Sequence, residues 1–422
     1  IQVDAYGGRQ LAAPLRSPGR YGIAVDIGST TVVVALVDLD SLAVVGTVSR
    51  LNPQARYGAD VLSRITHATS HGVEGLQLLI IEALGDAIGE AARQAGIALD
   101  LIDRITICGN TTMMYLLRGI DPTPLSVFPF TADHISMLTQ DAATNLGIEA
   151  LGECELVLLP GISAYVGADI TAGLYFIGAD EFSGTPKLLV DIGTNGEIAF
   201  ILDDEIVCTA TAAGPAFEGA SISCGVGSIE GAINMVWTDD GQVKYSTIAN
   251  KPAVGVCGSA IVDLLVWGLE SEQIKPSGRM PDPLELPDTP VPITLDQNDI
   301  RSLQLAKAAI RTGMQMMLGR TGVAPYEVRE LLIAGGFGRY LNKANAARIG
   351  LLPASALDRM TALGNAALGG AILALYDPDF EDRCARIISH SRAVDLSSQP
   401  EFNSLFISNI AFRDPTDTEA LL

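Results

Sequence analysis

The chain has 422 residues, of which 48% are hydrophobic and 18% charged, and its formal net charge is −22. That length exceeds one ordinary core and predicts two lobes, while the hydrophobic content argues against disorder. The acidity argues against a nucleic-acid partner, because phosphate backbones select Lys and Arg, and it suits a cytoplasmic protein.

Residues 1–20, rich in Gly, Pro and Arg, read as a linker or tail, and the start at Ile1 predicts a preceding segment. Apolar β-branched runs at 21–27, 32–38 and 43–49 predict an antiparallel meander. Val73, Leu76, Ile80, Leu84, Ile88 and Ala91 fall on one helical stripe across 72–95, and residues 67–72 look like a helix end. A strand at 104–110, a helix from Thr111, a short strand at 155–161 and a helix over 163–178 follow. The pattern then restarts with strands at 187–193, 196–202 and 205–213 and a helix at 257–270. Residues 275–300, rich in Pro and Asp, read as a surface excursion before a long helix at 299–322. A strand at 329–338 ends in a glycine loop, and a small-residue helix covers 362–375. A helix near 380–391 and a closing strand near 404–411 complete the chain. The domain expectation is therefore lobe I at 21–180, lobe II at 181–361, and a segment 362–422 returning to lobe I. No apolar run has the length and neutrality of a membrane span, and no signal peptide is visible, so no membrane partner is expected.

The segment VDIGSTTVVVALVDLD (25–40) places Asp26 before a turn of Gly28, Ser29, Thr30 and Thr31, between two apolar strands. VDIGTNGEIAF (190–200) repeats it with Asp191, Gly193, Thr194, Asn195 and Gly196. Such turns expose backbone N–H groups to phosphate oxygens, and glycine lets the backbone approach closely. The hydroxyls and Asn195 add donors. Asp26 and Asp191 would repel phosphate directly, so they make sense as ligands of magnesium through water. Two facing hairpins would clasp a metal–triphosphate from opposite lobes. A single Asp-x-Gly is common turn chemistry; the repeat makes the case.

A third element is IAGGFGR, where Gly335, Gly336 and Phe337 end a strand and would meet an adenosine ring. Lys307 and Arg311, one helical turn apart, would flank adenine or ribose, or else lie on a solvated helix face. Asp169 would orient an attacking water, or else be a surface acid. Glu218 would reach a ribose hydroxyl or a metal-bound water, or order its loop. Asn110 would position phosphate or water, or cap the helix from Thr111. The six cysteines show no zinc or iron–sulfur spacing, and Cys108, Cys208 and Cys257 read as buried thiols. His67, His71, His134 and His390 show no metal spacing.

Two Asp-Gly hairpins, two small-residue connecting helices (163–176 and 363–375) and a late Gly-Gly loop resemble the superfamily of acetate and sugar kinases, heat-shock chaperones and actin. The resemblance implies an α/β, two-lobed actin-like (ribonuclease H-like) ATPase fold with mixed sheets and a central nucleotide cleft. A narrower set of blocks is similar to the ATPase domain of the reductive activators of corrinoid proteins. These are YGIAVDIGSTT, LNPQARYGADVLSRI, CGNTTMMYLLRGIDPTPL, LPGISAYVGADITAG, DIGTNGEI, GPAFEGASISCG, VCGSAIVDLL, AKAAIRTG and IAGGFGRYL. That resemblance implies ATP and Mg2+ as ligands, and ATP hydrolysis coupled to reduction of cob(II)alamin to cob(I)alamin on a corrinoid protein partner. It leaves a homodimer open. The plant-type cysteine spacing of such activators is absent, so a [2Fe–2S] cluster is expected only on an N-terminal domain outside this chain. The alternatives are a small-molecule kinase of the acetate or sugar type, an actin-type filament protein, and an activator of radical dehydratases, whose bridging cysteines have no counterpart here.

Overall fold

The computed structural model describes residues 20–336, 341–396 and 398–412. Tyr21–Ile27 (β1), Thr31–Asp38 (β2) and Ala43–Leu51 (β3) form the expected antiparallel meander. Helices Val61–His71 (α1) and Glu74–Ala95 (α2) follow. The Asp60 side chain accepts from the Ser63 amide to start α1, and Leu76, Ile80, Leu84, Ile88 and Ala91 are the buried stripe of α2. Next come Ile102–Gly109 (β4), Thr111–Leu117 (α3), Leu138–Asp141 (β5), Ala142–Leu146 (α4), Glu155–Leu158 (β6) and Ala168–Phe176 (α5). The sheet order is β3-β2-β1-β4-β6-β5, with β4 and β6 parallel to β1. Helix α5 begins later than expected because residues 162–166 close a tight turn, Ile162 N–H donating to the Val166 carbonyl at 2.9 Å.

The second stretch begins with Lys187–Ile192 (β7), Gly196–Leu202 (β8) and Glu205–Thr211 (β9). Ala232–Asp239 (β10), Gln242–Thr247 (β11) and Gly255–Val256 (β12) form a separate small sheet. Gly258–Glu270 (α6), Leu284–Glu285 (β13), Thr294–Leu295 (β14), Gln297–Thr321 (α7), Glu330–Ala334 (β15), Lys343–Arg348 (α8) and Met360–Gly364 (β16) complete it. Its main sheet runs β16-β15-β7-β8-β9, again a meander with two parallel strands beside its first strand. Both sheets therefore carry the ribonuclease H-like order of the actin-like fold, as the repeat predicts.

The chain divides into two compact units. One holds the described residues up to Phe182 together with Asn365–Ala393, and the other holds Ser183–Gly364 with the described residues from Val394 onward. Helices Ala366–Ala374 (α9) and Phe380–Ser389 (α10) thus belong with the first sheet. A Cβ at Gly370 would lie 2.0 Å from the Ala172 carbonyl oxygen, and one at Gly369 would lie 2.5 Å from the Phe176 ring. The small residues of α9 are what let it cross α5 closely. The Thr106 hydroxyl of β4 donates to the Ala371 carbonyl at 2.7 Å, fixing α9 on the sheet. The Arg383 guanidinium then ties α10 to α5, bidentate to Asp180 and bonded to Asp377, which also accepts from the Tyr175 hydroxyl of α5.

Three expectations need correction. Residues 400–408 form a helix, Pro400–Ser408 (α11), and not a strand. Pro400 starts the helix, Phe402 and Phe406 stack one turn apart, and the Asn409 amide donates to Thr312 and Gln315 on α7. The tail from Val394 accordingly joins the second unit and does not return to the first. Residues 275–300 are more than a surface excursion, because Leu284, Leu286, Ile293 and Leu295 are buried in the second unit's core.

Gly370→Ala forces a methyl into the Ala172 backbone and is expected to lower stability by about 1–3 kcal/mol. Gly319→Ala, at an exposed position of α7 with open space around its added carbon, is expected to raise it by about 0.4–1 kcal/mol. Chemical denaturation of the two variants should show these opposite signs.

Candidate functional site

The last β1–β2 pair is Ile27 with Val32, so residues 28–31 form the first turn. All four of its carbonyls accept hydrogen bonds, three of them from groups outside the turn. The Gly28 carbonyl accepts from the Asn52 side-chain amide at 2.9 Å, and the Ser29 carbonyl accepts from Arg64 Nη2 at 2.6 Å. The Thr30 carbonyl accepts from the Asn52 backbone N–H at 2.8 Å, and the Thr31 carbonyl from Gly28 N–H at 2.9 Å. Successive carbonyls anchored inward give the turn the polarity that an anion-binding turn requires. Gly28 is needed because a Cβ there would lie 2.7 Å from the Thr31 carbonyl oxygen. The Ser29 side chain is buried, and its hydroxyl accepts from the Asn110 amide at 2.9 Å. Asn110 also accepts from the Met113 amide, so it both caps α3 and holds the turn.

Asp26, at the base of this turn, accepts from the Asn365 amide at 2.7 Å. Asn365 in turn caps α9 by accepting from the Leu368 amide at 2.8 Å. Asp169 lies in the first turn of α5 and accepts from its neighbour's Ile170 amide at 2.8 Å. The start of α5 presses against α3, for a Cβ at Gly167 would lie 2.6 Å from Asn110 Cα. Burial and then the Asp26 charge push the Asp169 carboxyl up to about 7. Asp26, Asn110 and Asp169 are thus brought together at the first turn, and Asp169 is not a free surface acid.

The second turn is shorter by one residue. The last β7–β8 pair is Ile192 with Gly196, and Gly193 N–H donates to the Asn195 carbonyl at 3.0 Å. The Thr194 hydroxyl donates to Glu218 Oε2 at 2.6 Å, so Glu218 does order this turn. Glu197, buried, stands directly across from Asp191 on the paired strand. Gly335 has φ +93°, and a Cβ on it would lie 2.4 Å from the Ile192 carbonyl oxygen and 2.9 Å from Asp191 Oδ1. The glycine loop therefore packs on the base of the second turn. Gly336 is exposed with open space about it, and Phe337 lies outside the described residues. Gly196 has a packing reason of its own, since a Cβ there would meet Ile310 and Thr211 at 2.8 Å.

Lys307 and Arg311 are 2% and 4% exposed, so neither sits on a solvated helix face. Lys307 donates to the Ala411 carbonyl at 2.7 Å, over the Phe412 ring, and Arg311 Nη1 lies 3.5 Å from the Leu352 carbonyl. The sequence reading missed Asn52, Gln54, Arg64 and Asn365. The first three sit in the block NPQARYGADVLSR, where a buried Arg on an amphipathic helix leaves no periodic signal. Asn365 was visible only as a polar residue heading a small-residue helix. Among the described residues, all six cysteines are unbridged, and Cys108, Cys208 and Cys257 are buried.

A carboxyl whose folded pKa lies above its unfolded value contributes stability at low pH that is lost as pH rises through the folded value. In the absence of nucleotide and magnesium, Asp169→Asn should change the melting temperature little below about pH 4. Its advantage over the unsubstituted chain should grow up to about pH 7 and then level off. Differential scanning fluorimetry across pH 4–9 checks the sign; a flat difference would contradict the raised carboxyl.

Residues 21–181 match the family described as the RACo middle region, and residues 185–420 match the family described as the C-terminal domain of RACo, the ASKHA domain. The chain is 33% identical over 426 residues to the corrinoid activation enzyme RamQ of Eubacterium limosum, covering 93% of this chain and 70% of that protein. It is 24% identical over 427 residues to the [Co(II) methylated amine-specific corrinoid protein] reductase of Methanosarcina barkeri, covering 93% and 77%. The solved structure of a reductive activator for a corrinoid, iron-sulfur protein superposes with a TM-score of 0.88 at 34% identity, covering 94% of this chain and 67% of that one. No helix among the described residues is long and apolar enough to cross a membrane. With both of its units matched end to end, the chain belongs to the RACo family of reductive activators of corrinoid proteins.

Proposed function

We propose that this chain binds and hydrolyses ATP and uses the cycle to drive reduction of cob(II)alamin to cob(I)alamin on a corrinoid protein in the cytoplasm. The observation that carries the reading is the first turn, with its four carbonyls anchored inward and Asp26, Asn110 and Asp169 gathered at its base. Within its own unit, the second Asp-Gly turn (residues 193–195) has the residue types of a phosphate-binding turn. The relatives' names supply the corrinoid partner.

The residues present suit magnesium. Asp26 and Asp169 are hard oxygen donors close enough for one to raise the other's pKa, and a divalent cation relieves that repulsion. Asp26 would hold the ion through water, and the ion would offset triphosphate charge. In hydrolysis a water attacks the γ-phosphorus, the bond to the ADP oxygen breaks, and the water's proton passes to Asp169. A carboxylate whose pKa is raised first of all by burial is suited to accept that proton. Asn110 holds Ser29 and so keeps the turn in register with Asp169. Gly335 lets the adenosine loop lie against Asp191. Cob(II)alamin would take up one electron from a low-potential reductant, and coupling requires that the corrinoid partner bind the ATP and ADP states unequally.

The purified chain should bind MgATP in calorimetry and release phosphate slowly, faster with a corrinoid protein present. With a low-potential reductant, cob(I)alamin absorption should develop only when ATP is added. Absence of MgATP binding would reject the proposal. Asp169→Asn should lower the hydrolysis rate by about 100-fold or more with ATP affinity retained. Gly335→Ala should weaken MgATP binding by displacing Asp191, whereas Gly336→Ala should leave it unchanged.

A further inference from the structure

Arg64 is the largest side chain among the described residues that is fully removed from solvent, at 0% exposure. A buried guanidinium is ordinarily paired with a carboxylate, because an isolated charge in the interior is costly. Arg64 is not so paired. Its Nε donates to the Gly58 carbonyl at 2.9 Å and its Nη2 to the Ser29 carbonyl at 2.6 Å. Its Nη1 faces the Gln54 side-chain oxygen at 3.5 Å and the Met113 sulfur at 3.2 Å. Among the described residues it forms no salt bridge, and Asp60 is the acid whose field reaches it. Burial pulls its pKa down to about 10, which still leaves it charged at neutral pH. Gln54, itself fully buried, is held by donation to the Leu76 carbonyl at 2.9 Å, so a neutral amide occupies the place where a carboxylate would otherwise neutralise the guanidinium.

A full positive charge therefore sits directly behind the first turn, bonded to a turn carbonyl, with only neutral groups within bonding distance. We propose that Arg64 is a positioning residue for the polyphosphate of the nucleotide: it fixes the Ser29 carbonyl so that the turn presents its amide face, and its charge is balanced by the bound phosphate anion. This rests on the nucleotide reading above and adds to it the source of phosphate selectivity. Arg64 touches no substrate atom; it acts through residues 28–31. The neutral Gln54 belongs to the same device, since an acid there would satisfy the guanidinium internally and remove the reason to recruit an external anion.

The test is calorimetric titration of MgATP and of adenosine into the unsubstituted chain, Arg64→Met, Arg64→Lys and Gln54→Glu, each at low and high salt. Arg64→Met should weaken MgATP about tenfold or more while adenosine affinity stays within about twofold. Arg64→Lys, which keeps the charge but loses the fork, should fall between. Gln54→Glu leaves Arg64 in place, so it should weaken MgATP several-fold and reduce the salt dependence of binding. A merely structural Arg64 predicts the reverse for Gln54→Glu, namely unchanged MgATP affinity, and predicts equal losses for MgATP and adenosine in Arg64→Met; either result overturns the proposal. If Arg64→Met does not fold, Gln54→Glu decides. If the unsubstituted chain binds no MgATP, the nucleotide reading fails first and this inference fails with it, whereas normal binding by every variant fails the inference alone.

Discussion

The constraint on which the first unit depends is the direction of four carbonyl groups. A turn between two strands normally lets its carbonyls face water. Here three are drawn inward by donors from elsewhere in the unit, Asn52 twice and Arg64 once, and the fourth is bonded by Gly28 within the turn itself. Much of the first unit is arranged to supply those donors. The segment after β3 brings Asn52 and α1 brings Arg64, while Asn110, after β4, holds the Ser29 hydroxyl. Anchored backbone of this kind costs no reorganisation when an anion arrives, which is the physical basis of preorganised binding.

The two units repeat one sheet order but secure their turns differently. The second turn is shorter and takes its support from Glu218 and from the close approach of Gly335. Its Asp191 is thus mechanically joined to the glycine loop after β15. Asp26 is joined instead to α9 through Asn365, and α9 is pressed on α5, which carries Asp169. Each acid is therefore tied to a different neighbouring element, so a change at either turn has a direct route into the helices or loop behind it. Whether the corrinoid partner reads that change is a matter of unequal affinity for nucleotide states, and no special pathway is required.

Much of the fold was legible because period and punctuation agree. The meanders at 21–51 and 187–211, the stripe of α2 and the long α7 all follow from alternating or three-four spacing. The closing residues were misread because FNSLFISNI is apolar without a clear period, and Pro400 and the Phe402–Phe406 pair decide for a helix. The site was legible wherever it consists of turn residues, since Asp, Gly and hydroxyls before a strand announce themselves. It was illegible wherever it consists of buttresses. Arg64 looks like an ordinary helix-surface cation, and only the structure shows it buried behind Ser29. Lys307 and Arg311 show the converse: spacing suggested a binding pair or a wet face, and burial against the 411 and 352 carbonyls shows neither to be solvated.

The central claim is that the inward anchoring of carbonyls at residues 28–31 exists to hold nucleotide phosphate. A crystal structure with magnesium and a non-hydrolysable ATP analogue measures this most directly. The account predicts phosphate oxygens about 3 Å from amide nitrogens of residues 29–31. An analogue bound with its phosphates away from the first turn, or that turn occupied only by water at saturating analogue, would contradict it.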